Sequence, residues 1–362
     1  MGSVLLASTL ADRGFSTGDV GLILGALVAG TVLAQLVIGR WADSWGRRRS
    51  YGAMYLSLAL AGVVFASTAP IWMLVAVALT GALSADVIES GPFTTLELAM
   101  LSGRLESDGL AAGFGWYNAI AAAAGSLGAL SAALPQVVRD MWDRAPSDQG
   151  WFLLFIPIAA AGMIISRRLS PMVEMTKAGS NAAPLGPSRP AVTRLAGLFA
   201  LDAFGGGFVV QTFVAFWLIE RFGATTPTIG ALFAAIGVIQ TLSFLAAPLI
   251  ARRWGLLNTM VFTHLPSNLL LAGVAFAPNL PVAVGFLLAR SALAQMDVPT
   301  RQAYVMTLVE PEERTAAVAY TNIARYIVRP IGPLLAGAAA TIVGGAPFII
   351  AGTLKSLYDL TL

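Results

Sequence analysis

Long apolar runs separated by short polar gaps make up this chain from end to end. They cover about 18–40, 50–69, 71–92, 111–134, 150–166, 195–219, 226–250, 255–276, 280–300, 316–341 and 344–362. Each is near the roughly 20 residues that an α-helix needs to cross ~30 Å of hydrocarbon. None has the ten-residue alternation of barrel strands, and in lipid a helix satisfies its own backbone, so every run is predicted to be a spanning helix. Residues 1–11 are apolar but too short to cross. The predicted class is an all-α polytopic membrane protein with no large soluble domain.

The pattern repeats. Setting residue i against i+209 aligns Gly14, Thr17 and Gly21 with Gly223, Thr226 and Gly230, and Ala26 with Ala235. The same offset pairs Ala42, Trp45 and Gly46 with Ala251, Trp254 and Gly255, without a gap. One constant offset across two loops and a span indicates tandem halves. The second half's first span opens near Leu195, so its counterpart would open about 14 residues before Met1. The first span is therefore expected to be truncated; a divergent half-span at the interface is the alternative. The run Pro184-Leu185-Gly186-Pro187-Ser188-Arg189-Pro190 cannot continue a helix and reads as a flexible linker. The expected organisation is an N-terminal bundle over 1–166 (partial span 1 plus spans 2–6), a cytoplasmic linker over 167–194 and a C-terminal bundle over 195–362 (spans 7–12).

Composition agrees: 57% of residues are hydrophobic, 11% are charged and the mean hydropathy is +0.77, so the bilayer is the solvent for most of the surface. The basic residues sit in short loops rather than on one patch, which argues against a nucleic-acid partner. With no cysteine and a single histidine, neither a disulfide framework, a metal site nor a cofactor is expected. No charged leader with a small-residue cleavage site opens the chain. Loop arginines and lysines are asymmetric. Fourteen (Arg40, Arg47, Arg48, Arg49, Arg104, Arg167, Arg168, Lys177, Arg189, Arg194, Arg252, Arg253, Arg301 and Arg314) lie on one side, against Arg13, Arg139, Arg144 and Arg221 on the other. The Arg47 side and the linker are therefore expected to face the cytoplasm.

Between the runs ending at 40 and opening at 50, Gly39, Asp43, Gly46, Arg47 and Arg48 form the pattern G-x-x-x-D-x-x-G-R-R. This resembles the signature between spans two and three of the major facilitator superfamily of secondary transporters, with Ser44 in place of the usual arginine and Trp41 in place of leucine. The resemblance implies two six-helix bundles related by pseudo-symmetry, rocking about a central site. It also implies that Asp43 controls conformational switching by meeting the start of helix eleven near Glu313–Thr315, where the helix dipole favours a negative charge. Gly332-Pro333 with Gly337 resembles the glycine-proline motif of the superfamily's antiporters, but on span eleven instead of span five. The arginine motif of span four is missing, with Thr80-Gly-Ala-Leu-Ser in its place.

Ionisable groups inside hydrocarbon cost a few kcal/mol each, so each asks for a role. Asp86 and Glu89 share a face of the fourth span without a local base; they read either as a proton site, since mutual repulsion keeps a proton on one of them, or as an interdomain gate. Asp202 is the next proton candidate. Arg290 and Arg325 would be satisfied by an anionic substrate or a cross-helix ion pair. Asp297 and Arg301 read as a solvated span end or a site, Lys355 and Asp359 as a self-satisfied pair one turn apart, and His264 as a packing residue. Tyr117-Asn118 and Asn322 read as cavity donors or interhelical contacts. Gly205-Gly206-Gly207 marks a weak point or a close approach. No protease, hydrolase or nucleotide-binding motif is present, so an enzyme is not expected.

The expected function is secondary transport of a small solute by alternating access, with proton coupling through the acids; a transport-inactive fragment or a receptor derived from a transporter is the alternative. The expected partners are that solute, protons and the lipid bilayer. A monomer in the inner (cytoplasmic) membrane, crossing it many times, is expected.

Overall fold

The computed structural model describes residues 1–83, 93, 97, 107–142, 144–170, 185–309 and 313–362; these form helices joined by short turns, with no strand among them. In chain order the helices are α1 (Gly2–Asp12), α2 (Thr17–Trp45), α3 (Arg47–Ala66), α4 (Ile71–Ala78), α5 (Ser107–Leu130), α6 (Leu134–Met141) and α7 (Phe155–Arg167). There follow α8 (Arg189–Gly207), α9 (Gln211–Phe222), α10 (Thr226–Trp254), α11 (Leu256–Val274) and α12 (Leu280–Ala294). The last are α13 (Asp297–Leu308), α14 (Arg314–Val328), α15 (Ile331–Ile342) and α16 (Ala346–Thr361).

The 209-residue offset reappears in the backbone. α2 and α10 both begin and end at matched positions, Thr17 with Thr226 and Trp45 with Trp254. Ahead of each, a hydroxyl caps the helix: Ser16 Oγ accepts the Asp19 N–H and Thr225 Oγ1 the Thr228 N–H. The turns on either side need a left-handed residue, and glycine supplies it at Gly14 and Gly223 (φ 68° and 63°) and at Gly46 and Gly255 (φ 92° and 83°). α1 matches α9 at this offset and packs against it.

Several predicted spans are not continuous. The run 195–219 is two helices, because α8 starts at Arg189 and ends in Gly205-Gly206-Gly207, where three residues without side chains hold helix poorly. The run 316–341 divides into α14 and α15 at Arg329-Pro330, where Pro330 lacks the N–H that would reach Tyr326. The run 280–300 divides into α12 and α13, since Pro299 cannot bond back to the Gln295 carbonyl. In 71–92, α4 ends at Ala78 and Gly81 turns the chain with φ 68°; residues 84–92 lie outside the described residues. Read as whole spans, the apolar runs do not mark these breaks.

Two of the breaks touch. A Cβ on Gly207 would lie 2.6 Å from the Arg329 carbonyl oxygen and 3.0 Å from Gly332 Cα, so only glycine allows the unwound backbones of the two spans to meet. The halves also meet through glycines, at the end remote from the Arg47 turn. On α2, a Cβ at Gly21 would sit 2.7 Å from both Gly337 Cα and the Pro333 carbonyl of α15; on α10, one at Gly230 would sit 2.6 Å from the Ala129 carbonyl of α5. A polar clasp closes the same end: buried Asp148 binds Arg139 at 2.6 Å and accepts from Thr226 Oγ1 at 2.8 Å.

At the opposite end, Glu313 precedes α14 and binds the residues leading into α8, accepting N–H bonds from Gly186 (2.8 Å) and Ser188 (3.2 Å). Hydrogen bonding to Ser188 and Gly186 holds its carboxyl below the usual glutamate range. A depressed carboxyl contributes stability above its unfolded-state pKa and loses it as the pH falls through the folded value. The amides of Gly186 and Ser188 are accordingly expected to be protected from exchange, relative to free amides, at neutral pH, to lose that protection only on acidification below the usual glutamate range, and to lack it at neutral pH in Glu313→Gln. A second expectation concerns the glycine contacts. Gly337→Ala, whose Cβ would meet the Thr17 carbonyl at 2.6 Å, should cost about 1–3 kcal/mol by overpacking. Gly197→Ala, with open space around it, should be neutral or stabilising through helix propensity; denaturation in detergent compares the two.

Candidate substrate and coupling site

The three broken spans enclose a cavity of about 260 Å³, at the lower edge of the ~300–1,000 Å³ usual for small-molecule sites. Its wall includes Gly206, Val209 and Gln211 from the α8–α9 break, Ala294, Gln295 and Asp297 from the α12–α13 break, and Arg325, Tyr326 and Arg329 from the end of α14. Ser126 of α5 and Gln240 of α10 complete the wall across the interface between the halves, where Gly237 lets Ser126 approach.

Asp202 on α8 is the hub of this wall. It is buried, and the Lys355 ammonium of α16 donates to its Oδ1. Its Oδ2 lies 3.5 Å from Arg301 Nη1, and its Oδ1 lies 3.8 Å from His264 Nε2. The same Arg301 nitrogen binds Asp297 Oδ2 at 2.7 Å, and the guanidinium lies over the Phe199 ring at 5.5 Å. On the far side of the imidazole, His264 Nδ1 is 2.7 Å from Asp359 Oδ1, while Asn268 donates to Asp359 Oδ2 at 2.8 Å. The glycine weak point of α8 also serves this hub, since the Lys355 side chain passes within 2.9 Å of where a Cβ on Gly205 would be.

The imidazole has a carboxylate oxygen facing each nitrogen, that of Asp359 at hydrogen-bond distance and that of Asp202 farther off. Arg301, Lys355 and this imidazole thus meet three carboxylates (Asp202, Asp297, Asp359). Breaking such a buried set by removing one member leaves an uncompensated charge.

Of the predicted site residues, Asp202, Arg290, Asp297 and Arg325 line this one cavity. Asp297 and Arg301 do form the i,i+4 pair, but both are buried, so they are not a solvated span end, and Arg301 does not belong among the loop charges that set orientation. The Lys355–Asp359 pairing does not form as expected: the two residues turn to Asp202 and His264 on other helices. His264 is hydrogen-bonded as expected, but as a bridge between charges on the cavity wall rather than as packing. Asn322 is half-buried on α14 and is not part of the lining. Tyr117 bonds across helices to Glu97, an acid for which no role had been expected. Asp86 and Glu89 lie outside the described residues, as do the side chains of Asp43 and Asn118; Gly39 is a position within α2. Gly46 makes the turn, Arg47 is buried, and Arg48 donates to the Leu169 carbonyl just past α7, tying the signature to the last helix of its half.

The fold and site define a multi-pass membrane protein with a polar cavity walled by discontinuous helices from two repeated halves, the architecture of a transporter. The family model for the Major Facilitator Superfamily matches residues 1–333, and the chain belongs to that family: it is a secondary transporter, not an enzyme. It is 26% identical to the uncharacterized membrane protein YJR124C of Saccharomyces cerevisiae, across 88% of this chain and 79% of that protein. Among solved structures, the xylose transporter XylE of E. coli in an inward-open conformation superposes with a TM-score of 0.71 at 14% identity, covering 99% of this chain and 93% of that one. The nucleoside transporter NupG gives 0.68 at 12%, covering 100% and 93%. These two likenesses establish the fold.

Removal of the hub carboxylate is expected to be costly and partner-dependent. Asp202→Ala should lose about 3–5 kcal/mol by stranding Lys355 and Arg301, and Asp202→Ala/Lys355→Ala should lose less than the sum of the two single changes. Denaturation midpoints of the four proteins in detergent read the coupling.

Proposed function

We propose that the chain carries a small solute across the cytoplasmic membrane by alternating access, and that the His264 bridge carries the coupling proton. Residues 1–166 and 195–362 act as two six-helix bundles that rock about the cavity as a monomer, joined by the 167–194 linker, with the Arg47 turn facing the cytoplasm. The observation that carries this reading is an imidazole held between Asp202 and Asp359 on the wall of a cavity bounded by three broken helices.

Such coupling needs a proton on each imidazole nitrogen while both carboxylates face it. A bend within the C-terminal half, at the Gly205-Gly206-Gly207 break, that draws α8 away from α11 removes the Asp202 contact; the imidazole then needs only its Nδ1 proton for Asp359 and can release the other to water in the opened cavity. Asp202 keeps its compensation from Lys355 and Arg301, so the hub does not become a stranded charge in either state. The signature residues Gly39, Asp43, Gly46, Arg47 and Arg48 act on switching, and Asn118, Asp86 and Glu89 remain assigned to the transport path.

His264→Asn, which keeps a hydrogen-bonding side chain but cannot accept a proton, is expected to retain solute exchange in proteoliposomes and to lose accumulation driven by a pH gradient. Accumulation at the native level in that variant would remove His264 as the carrier. Asp43→Asn is expected to slow turnover several-fold with equilibrium binding nearly unchanged, read by comparing exchange rates with ligand-induced thermal shifts.

A further inference from the structure

One cation on the cavity wall, Arg290, has a buried donor that no described residue answers. Among the cavity's described lining residues are five cations, Arg290, Arg301, Arg325, Arg329 and Lys355, against two carboxylates, Asp202 and Asp297. Both carboxylates are engaged by Arg301 or Lys355, and His264 bonds Asp359 outside the lining. Arg325 and Arg329 have partners of their own, which leaves Arg290. A charge in a low-dielectric recess attracts the opposite sign.

Arg290 makes this specific. It projects from the middle of α12 into the cavity, and its Nε is buried with no hydrogen-bond partner among the described residues. Native proteins leave few buried donors unmade, and such a group calls for an explanation. A guanidinium offers a planar fork that matches the two oxygens of a carboxylate or the oxygens of a phosphate, so a bound oxyanion would satisfy it. The other lining groups suit the remainder of such a molecule: Gln240 and Gln295 carry neutral amides, and Tyr326 and Phe233 lie on the same wall.

We propose that the transported solute is a small organic anion, carrying a carboxylate or phosphate that Arg290 engages and hydroxyl or amide groups that the glutamines read. This rests on the cavity being the transport site, and it adds a reason for proton coupling: a proton travelling with the anion cancels its charge in crossing.

The test uses matched probes on the purified full chain in detergent: gluconate against glucose, glycerol 3-phosphate against glycerol, and citrate and inorganic phosphate as further anions. The expected result is a thermal shift for at least one anion and none for its neutral counterpart. Arg290→Gln should weaken that binding at least about tenfold, the loss of one charge-assisted hydrogen bond. Arg290→Lys should restore part of it, and both variants should melt within a few degrees of the native protein without ligand. Equal shifts from the neutral probes, no shift from any anion, or anion binding indifferent to Arg290→Gln would overturn the proposal. Failure of the underlying transport reading shows separately, as bound solute that does not undergo counterflow in proteoliposomes.

Discussion

A carboxylate in the middle of a membrane protein must be met by positive charge, and Asp202 is met from α16 by Lys355, from α13 by Arg301 and from α11 by His264. Water is too scarce there to share the work, so three helices distant in sequence are fixed around α8 by one side chain. Other features follow. α8 has to let Lys355 approach closely, and Gly205 provides the room. α13 has to present Asp297 and Arg301 inward from its first turns, and the restart of the helix after Gln295 provides the direction. The chain gives up regular helix where it places charge, as membrane transporters tolerate only where the irregular backbone lines a cavity.

The apolar wall has the opposite logic. Where the halves meet, no charge pair sets the distance along α2 and α15 or α5 and α10; glycines do, by bringing backbone against backbone. Contacts of that kind depend on shape alone and can open without stranding a charge. The only polar tie described at that end is the Arg139–Asp148–Thr226 clasp, beside the loops and close to water. Strong electrostatics inside one half and shape-dependent contacts between halves are a suitable division for a molecule whose halves move as bodies.

Much of the fold was legible in the sequence, because lipid imposes one period and one length on every span. The repeat was legible for a sharper reason: Gly14, Gly46, Gly223 and Gly255 hold left-handed turns that other residues resist, so the offset survives where apolar residues have drifted. The breaks were legible only in part. Gly205-Gly206-Gly207 reads as a weak point, but Pro299 and Pro330 lie inside runs that read as single spans. The site was half legible. Asp202, Arg290, Asp297 and Arg325 were found by being charged within apolar runs. The long-range partners were not, because spacing along a helix suggests local pairs such as Lys355 with Asp359, whereas those two turn toward helices about 90 to 150 residues away. His264 looked like packing for the same reason; a lone imidazole in a span carries no sequence mark of the two carboxylates that meet it.

Rocking of the two halves should expose this cavity to each side of the membrane in turn. The protein contains no cysteine, so a thiol introduced by Gln240→Cys on the cavity wall is the only one to label. Its reaction with a membrane-impermeant maleimide should be measured from each side of sealed, oriented vesicles, at rest and under a solute gradient. Reaction is expected from the Arg47 side in one condition and from the opposite side in the other, slowed by bound solute. Reaction confined to one side under every condition would contradict it.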